Sequence, residues 1–245
     1  MHSPPNPVFS IITICRNAAA TIEKTLSSVA DQQLDADRYE HIVIDGSSQD
    51  ETLDIIRKYQ RVRWISEPDE GIADAFNKGL SMARGDYLLY LNADDYLHDS
   101  AVLSDTEAFL SDNDRPSWIV GDLATMETDR PTIFSPRLPV SCLSMMFYCR
   151  VSHPSVFLKR KALNELDGFH TQYQVCMDYD LWQRMCERGY RPVHMRRVVS
   201  VFATDGISSA GSASQLHERR EIQRRFRNTL PKRVIGAAYD FIKNR

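Results

Sequence analysis

The first half of the sequence alternates between two hydrophobic periods, and this alternation constrains the fold more than any other feature. Continuous apolar runs, typical of strands buried on both faces of a sheet, are separated by segments whose apolar residues recur at helical spacing. The runs predict strands at residues 8–15, 40–45, 62–66, 86–91 and 118–122. Helices are predicted between them at residues 18–31, 47–59, 71–83 and 100–111. This order predicts an α/β fold with a mostly parallel central sheet.

The helix predicted at 47–59 has its own start signal. Ser48 and Glu51 have the spacing of a capping box, in which each side chain bonds the backbone N–H of the other residue. The pattern predicts that Ser48 caps this helix.

Polar and acidic side chains follow four consecutive strands of the predicted sheet. Open parallel sheets bind ligands beyond the carboxyl ends of their strands, so we expect these side chains to share one rim. A single polar residue would indicate only a turn, whereas four strands that end alike indicate a site. The residues are Thr13, Arg16, Asn17, Asp45, Glu67, Asp69, Asn92, Asp94 and Asp95.

Two adjacent acids, Asp94 and Asp95, end the apolar run LLYLNADDYL. Neighbouring carboxylates repel each other, and a divalent cation makes such a pair favourable. The sequence has neither GxGxxG after the first strand nor GxxxxGK[ST], the glycine-rich patterns that bind phosphates. A metal ion held by carboxylates would neutralise the phosphates of a nucleotide instead. The alternative is that the two acids form a turn and cap the following helix.

Composition and charge limit the classes of protein to consider. The 245 residues are 42% hydrophobic, which supports one large folded domain and argues against disorder. A formal charge of −3 gives no reason to expect nucleic acid as a partner. No apolar run approaches the roughly 20 residues of a membrane span, and the opening MHSPPNP lacks the features of a signal peptide. The five cysteines form no metal-ligand pattern and are expected to be reduced thiols in a cytosolic protein.

The second half of the chain loses the regular alternation. A short strand and helix are predicted at 152–169, a helix at 176–188 and a strand at 191–204, with Gly168 and Gly189 as helix stops. A hinge rich in glycine and serine follows at 206–214.

The C-terminal segment is basic and amphipathic. Ile222, Phe226 and Leu230 form one helical stripe. Such a helix docks on an anionic membrane surface through residues 215–245, packs its stripe on the main domain, or forms a dimer contact. Its positive charges are Arg219, Arg220, Arg224, Arg225, Arg227, Lys232 and Arg233.

Four segments of the chain, in order, resemble the motifs of family 2 glycosyltransferases, which are inverting enzymes with the GT-A fold. Within residues 8–190, they are SIITICRNAAATIEKTLSSVADQ, HIVIDGSSQDET, ISEPDEGIADAFNKGLSMARGDYLLYLNADD and MDYDLWQRM. The resemblance implies a Rossmann-like GT-A sheet flanked by helices, with a helical C-terminal extension. It also implies a donor-binding half at 1–122, an acceptor-binding and catalytic half at 123–205, and a basic extension at 206–245.

The resemblance implies roles for individual residues. Thr13 and Asp45 would contact the nucleobase and ribose of a sugar nucleotide, and Asp74 and Lys78 would face the nucleotide and its phosphates. The donor site it implies consists of Thr13, Arg16, Asp45, Asp74, Lys78, Asn92, Ala93, Asp94 and His153.

The resemblance also implies the metal site. NADD occupies the place of the DxD motif, with Asn92 instead of the first acid. Asp94 is therefore the expected ligand of Mn²⁺ or Mg²⁺, with Asp95 beside it. His153 would touch the diphosphate or the acceptor, or else serve the structure of its loop.

Asp178, in MDYDLW, matches the acid that resembles the family's catalytic base. Met177 stands where the family has a glutamate, so the sequence leaves the choice between Asp178 and Asp180 open. An acid at a helix start is also favourable by about 0.3–1 kcal/mol without any catalytic role.

The resemblance implies transfer of a hexose from a nucleoside-diphosphate sugar, with UDP favoured, to a hydroxyl of a glycan or lipid-linked saccharide. The transfer would invert configuration, in the cytoplasm or at the cytoplasmic face of the membrane. One alternative is a non-catalytic glycan-binding or scaffold protein of the same fold. Another is a sugar-nucleotide nucleotidyltransferase, although CRNAAAT lacks the glycine-rich basic loop that this chemistry uses. The sequence leaves the donor's base and sugar, the acceptor and homo-oligomer formation open.

Overall fold

The computed structural model describes residues 6–127, 130–134, 140–145, 151–203 and 213–229. Its strands are β1 (Phe9–Cys15), β2 (Tyr39–Asp45), β3 (Val62–Ser66), β4 (Tyr87–Asn92), β5 (Tyr96–Leu97), β6 (Trp118–Glu127), β7 (Arg130–Phe134), β8 (Val156–Lys159) and β9 (Val193–Phe202). Its helices are α1 (Ile22–Ala30), α2 (Thr52–Ile56), α3 (Ile72–Met82), α4 (Val102–Asp112), α5 (Cys142–Met145), α6 (Arg160–Glu165), α7 (Met177–Glu187) and α8 (Ala213–Thr229).

The predicted α/β sheet is confirmed, and its first half is parallel. The described strands join in one sheet in the order β3-β2-β1-β4-β8-β6-β9-β5, with β7 paired to β6. The pairs within β3-β2-β1-β4 are all parallel. Beyond β4 the sheet is mixed, because β8 runs antiparallel to both of its neighbours whereas β6 and β9 run parallel.

The sheet has an apolar layer on each face because successive side chains of its central strands point to opposite sides. Ile12 and Tyr90 belong to the cluster that includes α3, α6, α7 and α8 residues, and Trp118 stacks on Trp182 of α7 there with ring centroids 5.3 Å apart. Phe9 and its neighbours form the cluster on the other face, which includes α4 residues. The carboxyl edge of β1–β4 is thereby held between two packed layers.

Ser48 does not cap α2, which corrects the predicted capping box. The Ser48 hydroxyl donates to Asp45 at the end of β2 and accepts the N–H of Asn17 at 2.7 Å. A charged acceptor forms a stronger hydrogen bond than a neutral one, so the nearby carboxylate takes the hydroxyl. Helix α2 begins at Thr52, whose N–H donates to Asp50 at 3.1 Å.

The boundary predicted between residues 122 and 123 falls inside β6. Strand β8, from the second half of the chain, lies between β4 and β6 of the first half. Strands from the two predicted halves of the sequence therefore belong to one sheet.

Two of the five cysteines are paired. Cys142 of α5 and Cys186 of α7 form a disulfide with a Cα–Cα distance of 5.5 Å, whereas Cys15 and Cys176 are free and buried. The expectation of reduced thiols does not hold for this pair. The two residues are 44 positions apart, and only the packing of α5 on α7 brings them together. Cys149 lies outside the described residues.

Helix α8 packs its apolar stripe on the domain. Ile222 and Phe226 are buried in the core cluster that contains α7 residues. The structure thus favours packing over membrane insertion for this part of the stripe. Residues 230–245 and most of the hinge predicted at 206–214 lie outside the described residues. None of the described helices is long and apolar enough to cross a membrane.

Candidate active site

A cleft of about 550 Å³ opens at the carboxyl ends of β1 and β4, where the sequence predicts the site. The β1–α1 loop lines it, together with the residues after β4, the start of α7 and the end of β9. The polar residues of its lining include Arg16, Asn17, Asp69, Asn92, Asp94, Ser152, His153, Gln174 and Asp178. Among the predicted residues, the structure brings Arg16, Asn92, Ala93, Asp94, His153 and Asp178 together here.

Asn92 and Asp94 line this cleft. Asn92 Oδ1 is buried and has no hydrogen-bond partner among the described residues. A buried acceptor without a partner is uncommon in folded proteins, and a bound ion or water is one way to satisfy it. Carboxylate and amide oxygens are ligands that hard divalent cations take, and Mg²⁺ usually needs only one or two protein carboxylates besides phosphates and water. The pair therefore fits a divalent cation that shares its coordination with a bound diphosphate.

A metal held by protein residues alone does not fit the cleft as well. No group of three or more His, Cys, Asp or Glu side chains that could hold a metal ion is present within the described ranges. A cation at Asn92 and Asp94 would therefore take most of its remaining ligands from the donor and from water.

Asp95 has a structural environment, which corrects its predicted role as a second metal ligand. Its side chain is fully buried, and Oδ1 accepts the N–H of Ala203 at 3.1 Å. Its backbone carbonyl accepts the Thr25 hydroxyl at 2.6 Å. Burial raises the pKa of the Asp95 carboxyl to about 7. Asp95 thus joins the turn after β4 to the end of β9 and does not line the cleft.

Asp45 lies beneath the cleft and is saturated with hydrogen bonds. Its carboxylate accepts the Ser48 N–H at 3.0 Å, the Ser48 hydroxyl, the Ser66 hydroxyl at 2.6 Å and the Cys15 thiol at 3.5 Å. Of these donor residues, Cys15 itself lines the cleft. A nucleotide would therefore reach Asp45 only by displacing one of these donors.

The structure does not place Thr13 at the cleft, which corrects its predicted contact with the nucleotide. Thr13 is fully buried, and its Oγ1 lies 2.9 Å from Nε2 of His41 on β2. Residues two apart on a strand share a face, so Cys15 lies about 6.6 Å nearer the carboxyl edge on the same side. Cys15 lines the cleft, where the resemblance had implied Thr13. Its short, weakly polar side chain did not mark it as a site residue in the sequence.

Asp74 and Lys78 of α3 lie beside the cleft rather than in its lining. Lys78 Nζ is 3.1 Å from both Asp74 and Glu67, and it donates to the Pro68 carbonyl at 2.6 Å. Burial lowers the pKa of Lys78, but the hydrogen bonds and charges of the two carboxylates outweigh burial and raise that pKa above its ordinary value. Lys78 therefore holds the loop after β3, and two acids balance its charge.

The loop held by Lys78 carries Asp69 into the cleft. Asp69 packs over Gly46 so closely that a Cβ on Gly46 would lie 2.3 Å from Asp69 Oδ2. A side chain at position 46 would therefore shift the Asp69 carboxylate from this position.

Asp178 and His153 meet in the cleft. His153 Nδ1 is 3.8 Å from Asp178 Oδ2, and the Asp178 side chain is 19% exposed. His153 Nε2 is buried without a hydrogen-bond partner among the described residues, and its ring packs edge-on against Phe76. The pair thus offers a carboxylate and a free ring nitrogen to a ligand.

Asp180 points away from the cleft. Its side chain is fully buried and contacts Arg184 and Arg225, each at 2.7 Å. Of the two aspartates between which the sequence leaves the choice open, Asp178 lines the cleft and Asp180 does not. Asp180 and Arg184 have the spacing of a helical ion pair, which could have indicated this structural role.

Sequence comparison identifies relatives of this chain. The glycosyl transferase family 2 profile matches residues 10–149. A PGL/p-HBAD biosynthesis glycosyltransferase of Mycobacterium tuberculosis is 30% identical over 179 residues, which are 71% of this chain and 68% of that protein. A chondroitin synthase of Pasteurella multocida is 29% identical over 188 residues, which are 75% of this chain but 19% of the synthase.

Solved structures show the same fold. S. aureus TarS 1-349 in complex with UDP-GlcNAc matches with a TM-score of 0.76 and 18% identity, over 90% of this chain and 66% of that one. The mannosyltransferase PcManGT from Pyrobaculum calidifontis, in complex with GDP-Man and Mn²⁺, matches with a TM-score of 0.63 and 24% identity, over 88% of this chain and 61% of that one. This chain thus spans less than two thirds of these solved chains. Together with the family profile, these matches show that the chain belongs to glycosyl transferase family 2 and has the GT-A fold.

Proposed function

We propose that the protein transfers a hexose from a UDP-sugar to a hydroxyl of a glycan or lipid-linked saccharide, with inversion and with the help of a divalent cation. One observation carries the proposal: Asp94 after β4 and Asp178 on α7 line the same cleft, beside the unpartnered oxygen of Asn92. A leaving-group site and a base are the two parts that glycosyl transfer needs, and the cleft provides candidates for both.

The donor would lie against β1–β4, in the half formed by residues 1–122. Arg16 and Asn17 line the cleft after β1, and Ala93 lines it between Asn92 and Asp94 of the sequence. Asn92 and Asp94 would hold Mn²⁺ or Mg²⁺, which when bound neutralises the charge of the leaving diphosphate. TarS, which shares this fold, is solved with UDP-GlcNAc, and PcManGT, which also shares it, is solved with GDP-Man, so the choice of UDP is the part of the proposal that the nucleotide panel below tests.

Asp178 would act as the general base from the half formed by residues 123–205. Its carboxylate takes the proton of the acceptor hydroxyl while that oxygen bonds C1 of the sugar and the bond from C1 to the diphosphate oxygen breaks. Attack from the side opposite the diphosphate inverts the configuration. His153, at 3.8 Å from Asp178, would direct its free Nε2 to the donor phosphates.

A contact of the 206–245 extension with an anionic membrane would depend mainly on charge in the described part of α8, where Leu216 is an exposed large apolar side chain. Ile222 and Phe226 are internal, whereas Arg220 and Arg224 are exposed. This contact would hold the enzyme near a lipid-linked acceptor at the cytoplasmic face.

Ligand-dependent thermal stability tests the donor site. A ligand that binds only the folded state stabilises it by about 2.7 kcal/mol at a concentration 100 times its Kd. We expect a rise in Tm with UDP-sugars, and not with GDP-, dTDP- or CDP-sugars, that requires Mn²⁺. Asp94→Ala should remove the Mn²⁺-dependent part of the rise.

The same panel separates the alternatives. Mn²⁺-dependent affinity that survives in Asp94→Ala would contradict the metal role of this residue. No rise with any nucleotide sugar, together with binding of an oligosaccharide, would favour a glycan-binding or scaffold protein. Release of diphosphate from a nucleoside triphosphate and a sugar phosphate would identify a nucleotidyltransferase.

A further inference from the structure

Glu218 of α8 points towards the domain and receives hydrogen bonds from three consecutive backbone N–H groups. Oε1 accepts the N–H of Gln174 at 3.1 Å, and Oε2 accepts those of Val175 at 3.1 Å and Cys176 at 2.9 Å. The residue is only 8% exposed. A buried carboxylate that three main-chain donors surround is a fixed point of the structure, because moving it would leave those donors without partners.

The three N–H groups lie immediately before α7. Cys176 is the N-cap residue of this helix and forms no side-chain capping hydrogen bond, and Gln174 and Val175 are the two residues that precede it. The partial positive charge at the start of a helix favours a carboxylate nearby. Here that carboxylate comes from another helix, 42 residues beyond Cys176, and it fixes the backbone through which the chain enters α7.

The segment that Glu218 holds is also a wall of the cleft. Gln174, Val175, Met177 and Asp178 all line the cleft, whereas Glu218 does not. The backbone that sets the position of Asp178 is therefore anchored from outside the cleft.

Helix α8 is itself held in place by further contacts one and two turns beyond Glu218. Ile222 and Phe226 are buried, Glu221 accepts the Tyr173 hydroxyl at 3.2 Å, and Arg225 pairs with Asp180 at 2.7 Å. These contacts fix the helix from which Glu218 extends.

We infer that Glu218 is a positioning residue of the transfer reaction, which holds residues 174–176 so that the Asp178 carboxylate meets the acceptor hydroxyl. The inference rests on the proposed role of Asp178 as the base. It makes α8 a part of the active-site architecture rather than an appendage.

The substitution Glu218→Gln tests the inference. The amide has one acceptor oxygen, and its NH₂ group would face N–H donors, so the variant loses at least one of the three hydrogen bonds. We expect faster hydrogen exchange of the amides of residues 174–176 and a kcat lower by roughly 10- to 100-fold, the scale of a misplacement of about 1 Å. Affinity for UDP in the presence of Mn²⁺ should be unchanged, since the proposed donor residues Arg16, Asn92, Asp94 and His153 lie outside the segment 174–176 that Glu218 holds.

Glu221→Gln is the matched control, because it removes the same charge from the same helix while its amide oxygen can still accept the Tyr173 hydroxyl. We expect wild-type exchange at residues 174–176 and wild-type kcat from it. Glu218→Asp keeps the charge on a shorter side chain. It should change the exchange rate at residues 174–176 and kcat in the same direction as Glu218→Gln, but by a smaller factor. It replaces Glu218→Gln in the test if that variant does not fold.

Three results are decisive against a positioning role or its premise. Faster exchange at 174–176 with unchanged kcat would overturn the inference. Equal losses of UDP affinity and kcat would show that Glu218 supports the whole fold rather than the base. A wild-type protein that binds UDP-sugars but transfers the sugar neither to water nor to glycan acceptors would instead overturn the proposed function. Hydrogen exchange at residues 174–176 would still report whether Glu218 holds this segment.

Discussion

Two aspartates two residues apart on α7 have opposite environments. Asp178 lines the cleft, whereas Asp180 is fully buried between two arginines. We expect Asp178→Asn to lower the transfer rate by about 10²- to 10⁴-fold, the usual contribution of a general base, while the free energy of unfolding stays near wild type. Asp180→Asn should instead cost about 3–5 kcal/mol, because it leaves buried Arg184 without its charged partner.

Urea unfolding and initial rates on the same two variants check this prediction. An Asp180→Asn protein with wild-type stability and no activity would move the base to Asp180. An active Asp178→Asn protein would remove Asp178 from the mechanism.

His41 gives the protein a predicted loss of stability in acid. Burial lowers the pKa of His41 to about 3, from an ordinary value of 6.5. Between these two pH values the unfolded chain binds a proton that the folded chain does not, so stability falls as the pH falls. The contribution lost by pH 4.5 is about 3 kcal/mol.

His41→Gln isolates this contribution. The Gln side chain can still hydrogen-bond Thr13, which lies 2.9 Å from His41 Nε2, but it does not titrate. We expect the urea midpoint of the variant to fall less than that of the wild type between pH 7 and pH 4.5. Parallel pH curves for the two proteins would contradict the assignment to His41.

For single residues, strand-end spacing was enough to predict Asn92 and Asp94 at the cleft, whereas Asp178 was predicted from the family resemblance alone. It could not separate Cys15 from Thr13, or Asp94 from Asp95. Whether a side chain faces the ligand changes over one or two residues at a strand end, and it depends on backbone pleat and on competing donors such as Ala203 N–H.

Among the elements, the covalent link between α5 and α7 makes a stability prediction. The Cys142–Cys186 disulfide closes a loop of 44 residues and joins α5 to the helix that carries Asp178. We expect a reducing agent to lower the free energy of unfolding by about 2–4 kcal/mol, because the reduced unfolded chain gains conformational freedom.

A variant with both Cys142→Ser and Cys186→Ser provides the control. It should have the stability of the reduced wild type and should not respond to the reducing agent. A wild-type urea midpoint that is the same with and without the reducing agent would show that the Cys142–Cys186 disulfide is not present in solution.

Strands β1–β4 were predictable to within about one residue per end, because continuous apolar runs mark them. The run predicted at 118–122 starts with β6 at Trp118, but β6 continues to Glu127. The helix predicted at 47–59 shortens to α2 (Thr52–Ile56), because the Ser48 hydroxyl donates to Asp45 and the Thr52 N–H donates to Asp50. The antiparallel direction of β8 was not predictable, because a run of four residues carries no information about its neighbours.

For the molecule as a whole, the family motifs predicted the fold, and the structure adds how its halves are joined. Donor-side residues lie on the parallel strands, and Asp178 lies on α7, which packs on the same sheet. The sequence predicted these parts as consecutive segments, but a linear boundary could not show that β8 enters the sheet between β4 and β6.

The junction between β4 and β8 also bears on how such proteins diversify. Only two residue pairs, Tyr87 with Lys159 and Leu88 with Leu158, register these strands against each other. The chain after β4 can therefore gain or lose length with little effect on the register of β1–β4, whose pairs are longer. The part of the chain after β4 can thus be exchanged while β1–β4 are inherited unchanged, and chimeras of family members joined at this seam would test whether such exchange preserves the fold.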